Sequence, residues 1–330
     1  MVLHVLDAAS HDDVQATVVV VGHGAAWVEK SLTDRASADA QLTFVEQVEQ
    51  LGTGHAVASA LTTIDEAIGA SDGVVLILPG DTPLLRSSTI QVLLNDHRES
   101  NAALTVLTAK VDDPTGYGRV VYGKDNKVAR IVEERDANEE ERAINEINTS
   151  IMVVRQSLLG PALRKVGRAN AQHEYYLTDL VSVLHEAGHV TRSFLLYDPT
   201  EAAGVNDRAQ LASAERELRR RINEQWMHRG VTMWDPSSTY VDADVVLNVD
   251  VSLLPGTVLK GRCTIGEGAQ IGPNAYLTDV SVGANSILGS VEAVTSRIGS
   301  NARVGSFSVL GPGTEVRDNE VVSSHTLRSI

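Results

Sequence analysis

The chain has 330 residues, 43% of them hydrophobic and 22% charged, which is enough for two domains and a sizeable core. Its formal net charge of -15 argues against nucleic acid as the main partner, because phosphate backbones attract basic surfaces; a small nucleotide site stays possible. The single cysteine, Cys263, permits no internal disulfide, the apolar runs are too short to span a bilayer, and the start lacks a signal-peptide pattern. We therefore expect a cytoplasmic protein without membrane insertion.

Residues 1–200 alternate short apolar runs with periodic segments such as Ala56–Ile68 and Thr89–Arg98. The runs are rich in β-branched residues and bounded by Gly, Pro or Asp, which is typical of strands. Apolar strands separated by helices predict a mainly parallel sheet covered on both faces, with ligands at the carboxyl ends of its strands. The predicted strands are Thr17–Val21, Thr43–Val48, Val74–Leu78, Ala103–Ala109 and Ser150–Val154.

Two segments of this region have turn chemistry that suits a nucleotide. Leu51–Ala56, LGTGHA, is a glycine turn that leads into a helix, where exposed N–H groups and partial positive charge suit a phosphate or a planar base edge. Leu78–Leu85, LPGDTPLL, places Asp81 just past a strand, where a carboxylate can hold Mg²⁺ against a phosphate. Asp-Thr-Pro also suits a helix N-terminus, and spacing alone leaves both interpretations open.

Three further segments are weak signals individually. Pro114–Arg119, PTGYGR, is either a close approach to a ligand or a plain hairpin turn. Ile131–Asp136 and Glu146–Ser150 carry polar groups beside apolar runs. His185–His189 matches the zinc pattern H-E-x-x-H, but Gly188 suits the end of a helix and a strand-like run follows it, so we expect the two histidines on different elements.

The region from residue 207 to 230 is predicted to be a linking helix. Leu211, Leu218, Ile222 and Trp226 mark one apolar face, and arginines cover much of the remainder. A basic amphipathic helix can bind membranes or nucleic acid, but here glutamates interleave with the arginines, which favours a solvated connecting helix.

After Pro236 the hydrophobic period becomes six residues, which predicts a parallel β-helix whose aliphatic residues point inward. The phase slips twice, after Leu277 and after Val294. The predicted inward residues are Val241, Leu247, Leu253, Leu259, Ile265, Ile271, Leu277, Val282, Leu288, Val294, Ile298, Val304, Leu310, Val316 and Val322.

Taken together, the motifs resemble one bacterial family, the bifunctional N-acetylglucosamine-1-phosphate uridyltransferase/glucosamine-1-phosphate acetyltransferases. The resemblance covers nearly the whole chain and rests on motifs in family order: QVEQLGTGHA, PGDTPLL, PTGYGRVV, IVEERDA, EINTSI, EYYLTDLV and GVNDRAQLA. It implies a Rossmann-like nucleotidyltransferase domain (1–206), a linking helix (207–230) and a short left-handed parallel β-helix (231–330).

The resemblance also implies site residues and a reaction. The phosphate of N-acetylglucosamine 1-phosphate attacks UTP with Mg²⁺ present, giving UDP-N-acetylglucosamine, a cell-wall precursor, and pyrophosphate. The residues implied are Gln47, Gly52 and Thr53 for the uridine base, Gly118, Glu133 and Asn148 for the sugar phosphate, and Asp81 and Asn206 for the metal, with Asn206 also binding substrate.

Two departures from the family pattern stand out. No early glycine-rich loop with arginine and lysine is present, so we expect no catalytic side chain beyond the metal ligands and an open sheet where the first strand is missing. Gly311 stands where the family has the arginine of acetyl transfer, and the chain ends at Ile330 before further coils, so we expect no acetyltransferase activity.

Several alternatives stay open at this stage. The chain is either a truncated or a degenerate member of the family. The two departures also fit a protein that binds UDP-sugars, or assembles, without catalysis. The motifs also fit a relative that acts on another sugar 1-phosphate. The family β-helices associate in threes, so we also expect a homotrimer.

Overall fold

The structure is a computed structural model that describes residues 1–10, 14–35, 42–69 and 73–328. The chain divides into two compact units, Met1–Gln210 and Leu211–Ile330. None of the described helices is both long enough and apolar enough to cross a membrane. The predicted functional division at residues 206 and 230 stays a prediction.

The first unit alternates strands and helices as the sequence predicts, with element ends shifted by a few residues. The strands are β1 (Thr17–Val21), β2 (Leu42–Glu46), β3 (Val74–Ile77), β4 (Leu104–Lys110), β5 (Arg119–Tyr122), β6 (Val128–Val132), β7 (Glu146–Arg155) and β8 (Thr191–Leu195). The helices are α1 (Val2–Ala9), α2 (Ala25–Thr33), α3 (Thr53–Ile68), α4 (Ser87–Glu99), α5 (Glu139–Arg142), α6 (Gln156–Leu163) and α7 (Asp179–Glu186), and α8 (Arg208–His228) continues into the second unit.

The prediction of a mainly parallel sheet is wrong for the larger sheet. Its order is β6-β5-β7-β4-β8 with β3 also on β7, and β7 runs antiparallel to β3, β4 and β5. Among the described strands of this sheet, only the β4–β8 pair is parallel. The reason is connectivity: β4 to β7 are joined by turns and by the single turn of α5, whereas parallel neighbours need a crossover of a dozen or more residues.

The prediction that both faces of the sheet are covered is confirmed. One face packs Val106 and Met152 against α6 and α7, and the other packs Leu107 and Val153 against α4. Parallel strands β1 and β2 form a separate two-stranded sheet. Among the described residues β1 pairs only with β2, and β3 only with β7, and between them lies a cavity of about 960 Å³ lined by residues of both strands.

The second unit is a parallel β-helix, as the six-residue period predicts, with α8 before it. Its short strands form three sheets, in the orders β10-β13-β16-β19-β22-β25, β11-β14-β17-β20-β23 and β24-β21-β18-β15-β12-β9. The strands are β9 (Thr232–Met233), β10 (Tyr240–Val241), β11 (Val246–Leu247), β12 (Ser252–Leu253), β13 (Val258–Lys260), β14 (Thr264–Ile265), β15 (Gln270–Ile271), β16 (Tyr276–Thr278), β17 (Ser281–Val282), β18 (Ile287–Leu288), β19 (Glu292–Val294), β20 (Arg297–Ile298), β21 (Arg303–Val304), β22 (Val309–Leu310), β23 (Glu315–Val316), β24 (Val321–Val322) and β25 (Leu327–Arg328).

One inward position differs from the prediction. Every predicted inward residue is buried except Val294, which is only partly buried; the buried residue of β19 is Ala293. Ala293 is in register with Leu277 on one side and with Leu310 on the other. Neighbouring residues of a strand face opposite sides, so only one of the two can enter the core. The prediction chose the larger aliphatic residue, valine, whereas the alanine fills the core.

The H-E-x-x-H segment is divided as predicted. Helix α7 ends at Glu186, Gly188 has a φ of 84°, and β8 begins at Thr191. His185 therefore lies on the helix and His189 lies beyond it. In α8, Glu217 accepts hydrogen bonds from both Arg220 and Arg221, so the interleaved charges of that helix pair with one another.

Candidate functional site

Four of the residues that the resemblance singled out line the cavity between β1 and β3. Gln47 directly follows β2, Thr53 begins α3, Glu133 follows β6, and Asn148 lies within β7. They come from distant parts of the sequence, and the fold brings them to one cavity. Of the described residues that line this cavity, Arg98 alone is cationic.

The glycine turn before α3 is anchored to the segment 174–177. Gly54 N–H donates to the carbonyl oxygen of Tyr175 at 2.7 Å, and the Thr53 hydroxyl oxygen accepts from the N–H of Leu177 at 3.1 Å. Gly52 has a φ of 109°, and a Cβ there would lie 2.7 Å from the carbonyl oxygen of Tyr175. Only glycine fits this position, because both the backbone conformation and the close approach exclude a side chain.

Gln47 is held in place by the same turn. Its backbone N–H donates to the carbonyl oxygen of Val21 at 2.7 Å, which ties it to the end of β1. Its side-chain Nε2 lies 3.1 Å from the carbonyl oxygen of Gly52 and 3.0 Å from Nδ1 of His55. The His55 ring stacks on Tyr175 with ring centroids 6.2 Å apart. Sequence reasoning assigned no role to His55, although it lies inside the LGTGHA segment.

The three residues expected at the sugar phosphate are neighbours in the structure. The carbonyl oxygen of Gly118 accepts from the N–H of Asn148 at 2.8 Å, and a Cβ on Gly118 would lie 3.4 Å from Oε2 of Glu133. The Thr178 hydroxyl donates to Oε1 of Glu133 at 2.9 Å. Thr178 was also not assigned from the sequence; its signal is its place in the EYYLTDLV motif.

An ion pair between a buried arginine and a partly exposed glutamate supports the turn that contains Gly118. The guanidinium of Arg119, 1% exposed, donates to Oε2 of Glu134 at 2.7 Å and also to the carbonyl oxygen of Tyr117. Oε2 of Glu134 accepts from the N–H of Gly116 as well, at 3.3 Å. The turn is therefore fixed at both ends, and the position of Gly118 depends on this pair.

The carboxyl group of Glu133 is affected by its surroundings in the site. Burial raises the pKa of the Glu133 carboxyl above its usual range, and the nearby carboxylates Asp136 and Asp179 act in the same direction. The hydrogen bond from Thr178 opposes the shift without cancelling it. Glu133 is thus a half-buried acceptor that is costly to ionise.

Asp81 and Asn206 lie beside the same glycine. A Cβ on Gly204 would be 3.6 Å from Oδ2 of Asp81 and 3.8 Å from Nδ2 of Asn206. The N–H of Val205 donates to the carbonyl oxygen of Asp81 at 3.0 Å, so the two segments are joined by backbone. The cavity lining includes Gly80, the neighbour of Asp81, but neither Asp81 nor Asn206.

The donor chemistry of this pair fits a hard cation. A carboxylate and an amide oxygen are ligands that Mg²⁺ accepts, and Mg²⁺ commonly binds through one or two protein groups while substrate phosphates and water fill the other positions. Within the described ranges no group of three or more His, Cys, Asp or Glu side chains could hold a metal by itself. A metal held by Asp81 and Asn206 would take its other ligands from water or substrate phosphates.

Comparisons with known proteins agree with these features. A nucleotidyl transferase family model matches residues 1–227. The bifunctional protein GlmU of Exiguobacterium sp. strain AT1b is 44% identical over 322 residues, which are 96% of this chain and 69% of the relative. The GlmU proteins of Brevibacillus brevis and Halalkalibacterium halodurans are 43% and 41% identical over 319 residues each, covering 97% of this chain and 67% and 68% of the relatives.

The solved structure of HddC from Yersinia pseudotuberculosis covers 64% of this chain and 80% of its own, at 16% identity and a TM-score of 0.43, which is too low to carry an argument. This chain therefore belongs to the nucleotidyl transferase family, together with the bifunctional GlmU proteins, and it is a nucleotidyltransferase.

Proposed function

We propose that the first unit transfers a uridylyl group from UTP to N-acetylglucosamine 1-phosphate, with Mg²⁺, and releases UDP-N-acetylglucosamine and pyrophosphate. The product would serve as a cell-wall precursor, and we expect the reaction in the cytoplasm. The observation that carries the proposal is the convergence of Gln47, Thr53, Glu133 and Asn148, from four separate segments, on one cavity.

The proposed chemistry is a single displacement at phosphorus. A phosphate oxygen of the sugar phosphate forms a bond to the α-phosphorus of UTP, and the bond from that phosphorus to the bridging oxygen of the β-phosphate breaks. Pyrophosphate leaves with the bonding electron pair. Reactions of this kind depend on positioning and charge neutralisation rather than on covalent catalysis by the protein.

Each group of residues has a part in positioning. Gln47, Gly52 and Thr53 would hold the uracil base at the turn before α3. Gly118, Glu133 and Asn148 would hold the sugar phosphate, with a Glu133 oxygen accepting from a sugar hydroxyl. Glu133 and Asn148 both lie next to Gly118, which suits a single ligand bridging the three residues.

Asp81 and Asn206 would hold Mg²⁺, whose chemistry is to neutralise the phosphate oxygens as negative charge shifts to the leaving group. A cation is needed here in particular, because the described cavity lining has a single cationic side chain, Arg98. The start of α3, which no side chain caps, adds partial positive charge from the helix dipole.

Further parts of the proposal concern the second unit. One outward column of the first sheet of the β-helix carries the apolar residues Tyr276, Val309 and Leu327, with Glu292 between the first two, and these apolar groups support association of three copies through this unit. We also infer that the stretch around Gly311 has no acetyl-transfer role. Gly311 brings no side chain, and its N–H is already bonded to the carbonyl oxygen of Arg328 at 2.7 Å.

The experiment is a measurement of pyrophosphate release by the purified chain with UTP, Mg²⁺ and a sugar 1-phosphate. A rate with N-acetylglucosamine 1-phosphate that EDTA abolishes supports the proposal. A faster rate with glucose 1-phosphate would identify a nucleotidyltransferase for another sugar. Binding of UDP-N-acetylglucosamine without any release would favour a non-catalytic UDP-sugar protein.

A further inference from the structure

The side-chain amide of Gln47 has a fixed orientation. Its Nε2 lies 3.1 Å from the carbonyl oxygen of Gly52, and a carbonyl oxygen can only accept a hydrogen bond. The –NH₂ end of the amide must therefore face Gly52. The same nitrogen lies 3.0 Å from Nδ1 of His55, and its second proton points to that acceptor.

This arrangement also fixes the state of the His55 ring. The –NH₂ group of Gln47 can only donate, so Nδ1 of His55 is the acceptor of this hydrogen bond. The ring is held by its stack on Tyr175 and by its place in the first turn of α3, where the His55 carbonyl oxygen accepts from the Ser59 hydroxyl at 2.9 Å. His55 itself is not among the residues that line the cavity.

With both amide protons engaged, Gln47 has one group left for a ligand, its acceptor oxygen Oε1. No hydrogen bond to Oε1 is present among the described residues, and Gln47 lines the cavity. The edge of uracil carries a donor, N3–H, between two carbonyl groups. Cytosine carries an unprotonated, accepting N3 at the same place, which would face Oε1 with like polarity.

We propose that His55 is a positioning residue that selects uracil over cytosine by holding the Gln47 amide with Oε1 toward the base. The proposal rests on the uridylyl transfer proposed above and adds a residue that touches no substrate. Gly52 supplies one anchor for the amide and His55 the other. Without His55 the amide keeps one anchor and can tilt or rotate, so its preference for a donor weakens.

The chain offers a matched pair of substitutions for the test. In His55→Asn the side-chain Oδ1 takes the place of Nδ1 and can still accept from Gln47. In His55→Leu a branched side chain of similar reach occupies the space without any acceptor. Binding of UTP and of CTP to each chain is measured by calorimetry without metal, so that the base contributes most of the difference, and thermal unfolding reports whether each variant is folded.

We expect the unaltered chain and His55→Asn to prefer UTP, and His55→Leu to lose about five- to tenfold of that preference, which corresponds to roughly one hydrogen bond. Unchanged preference in His55→Leu, or equal loss in both variants, would overturn the proposal. Equal binding of UTP and CTP by the unaltered chain would overturn uracil recognition and this proposal together. Selective UTP binding without turnover would contradict uridylyl transfer and leave the role of His55 intact.

Discussion

The N–H of Val205 donates a 3.0 Å hydrogen bond to the carbonyl oxygen of Asp81. The segment before it is held by Glu201, a 3% exposed residue whose Oε2 accepts from the Thr89 hydroxyl at 2.7 Å and from the N–H of Arg86 at 3.1 Å. The buried carboxylate of Glu201 thus ties the loop that carries Asn206 to the start of α4, and this holds the loop in place beside Asp81.

We predict that Glu201→Ala weakens metal use without touching the metal ligands. Loss of the carboxylate leaves the N–H of Arg86 and the Thr89 hydroxyl without their acceptor, so the loop is held only by its remaining contacts, such as the Val205–Asp81 hydrogen bond. The Mg²⁺ concentration for half-maximal pyrophosphate release should rise about tenfold, roughly the value of one hydrogen bond to a charged group. Glu201→Gln keeps an acceptor oxygen, so its half-maximal Mg²⁺ concentration should lie between those of the unaltered chain and Glu201→Ala. An unchanged Mg²⁺ dependence in Glu201→Ala would contradict this role of Glu201.

A methyl group at Gly118 should damage the sugar-phosphate subsite. The added Cβ would lie 2.9 Å from Cγ2 of Ile131 and 3.4 Å from Oε2 of Glu133, so the strand or the carboxylate must move. We expect Gly118→Ala to raise KM for N-acetylglucosamine 1-phosphate about tenfold, with a cost in stability of about 1–3 kcal/mol. Gly167→Ala is the control, because a Cβ at Gly167 meets nothing within 4 Å. Equal kinetics for both variants would contradict the placement.

Glu133→Gln should weaken binding of the sugar phosphate and increase the stability of the fold, the latter by an amount that depends on pH. Burial raises the pKa of Glu133, so the folded chain keeps the proton to higher pH than the unfolded chain does. The stabilisation from this group is complete below the ordinary glutamate pKa of about 4.3 and is lost as pH rises through the folded pKa.

Glutamine stays neutral at every pH, so at pH 8 Glu133→Gln should unfold at a higher urea concentration than the unaltered chain. This gap between the two unfolding midpoints should shrink toward pH 5. The same change removes a carboxylate acceptor, and KM for the sugar phosphate should rise about tenfold. A gap that widens as pH falls would contradict the sign of the shift.

The fold was largely predictable from the sequence, and the errors have identifiable causes. The β-helix follows from a six-residue period because each inward residue must be aliphatic, and the exception, Ala293 in place of Val294, arises where a small residue fills the core. Strand direction was not predictable in the same way. Apolar strands such as β4 and β7 read alike whether their neighbours are parallel or antiparallel, and the turns between β4 and β7 decide it.

The sequence predicted those site residues that lie in recognisable motifs. Gln47, Glu133 and Asn148 came from the motifs, and the structure lines one cavity with them, although their roles stay proposals. His55 and Glu201 were missed because each acts through another residue. Their partners, Gln47 at 3.0 Å and Thr89 at 2.7 Å, are 8 and 112 residues away in sequence, and no local pattern relates them.

The outward face of the β-helix should hold copies of the chain together. Val309 is 38% exposed and lies in register between Glu292 and Leu327, which is 74% exposed, so a lysine there would replace an apolar group of this face by a charge. Sedimentation should show three chains for the unaltered protein and smaller species for Val309→Lys. Thr264→Lys, on a different sheet of the same unit, should stay trimeric; a monomeric unaltered chain at micromolar concentration would contradict the trimer.

The most direct test of the account compares two aspartates that each follow a strand. Asp81 follows β3 beside Asn206, and Asp112, an exposed residue, follows β4 away from the cavity lining. Pyrophosphate release from UTP and N-acetylglucosamine 1-phosphate is measured at a series of Mg²⁺ concentrations for the unaltered chain, Asp81→Ala and Asp112→Ala. We predict Mg²⁺-dependent release by the unaltered chain and Asp112→Ala, and loss of at least a hundredfold in Asp81→Ala, about 3 kcal/mol of transition-state stabilisation. Full Mg²⁺-dependent release by Asp81→Ala would contradict the assignment of Asp81 and Asn206 as the metal-binding pair.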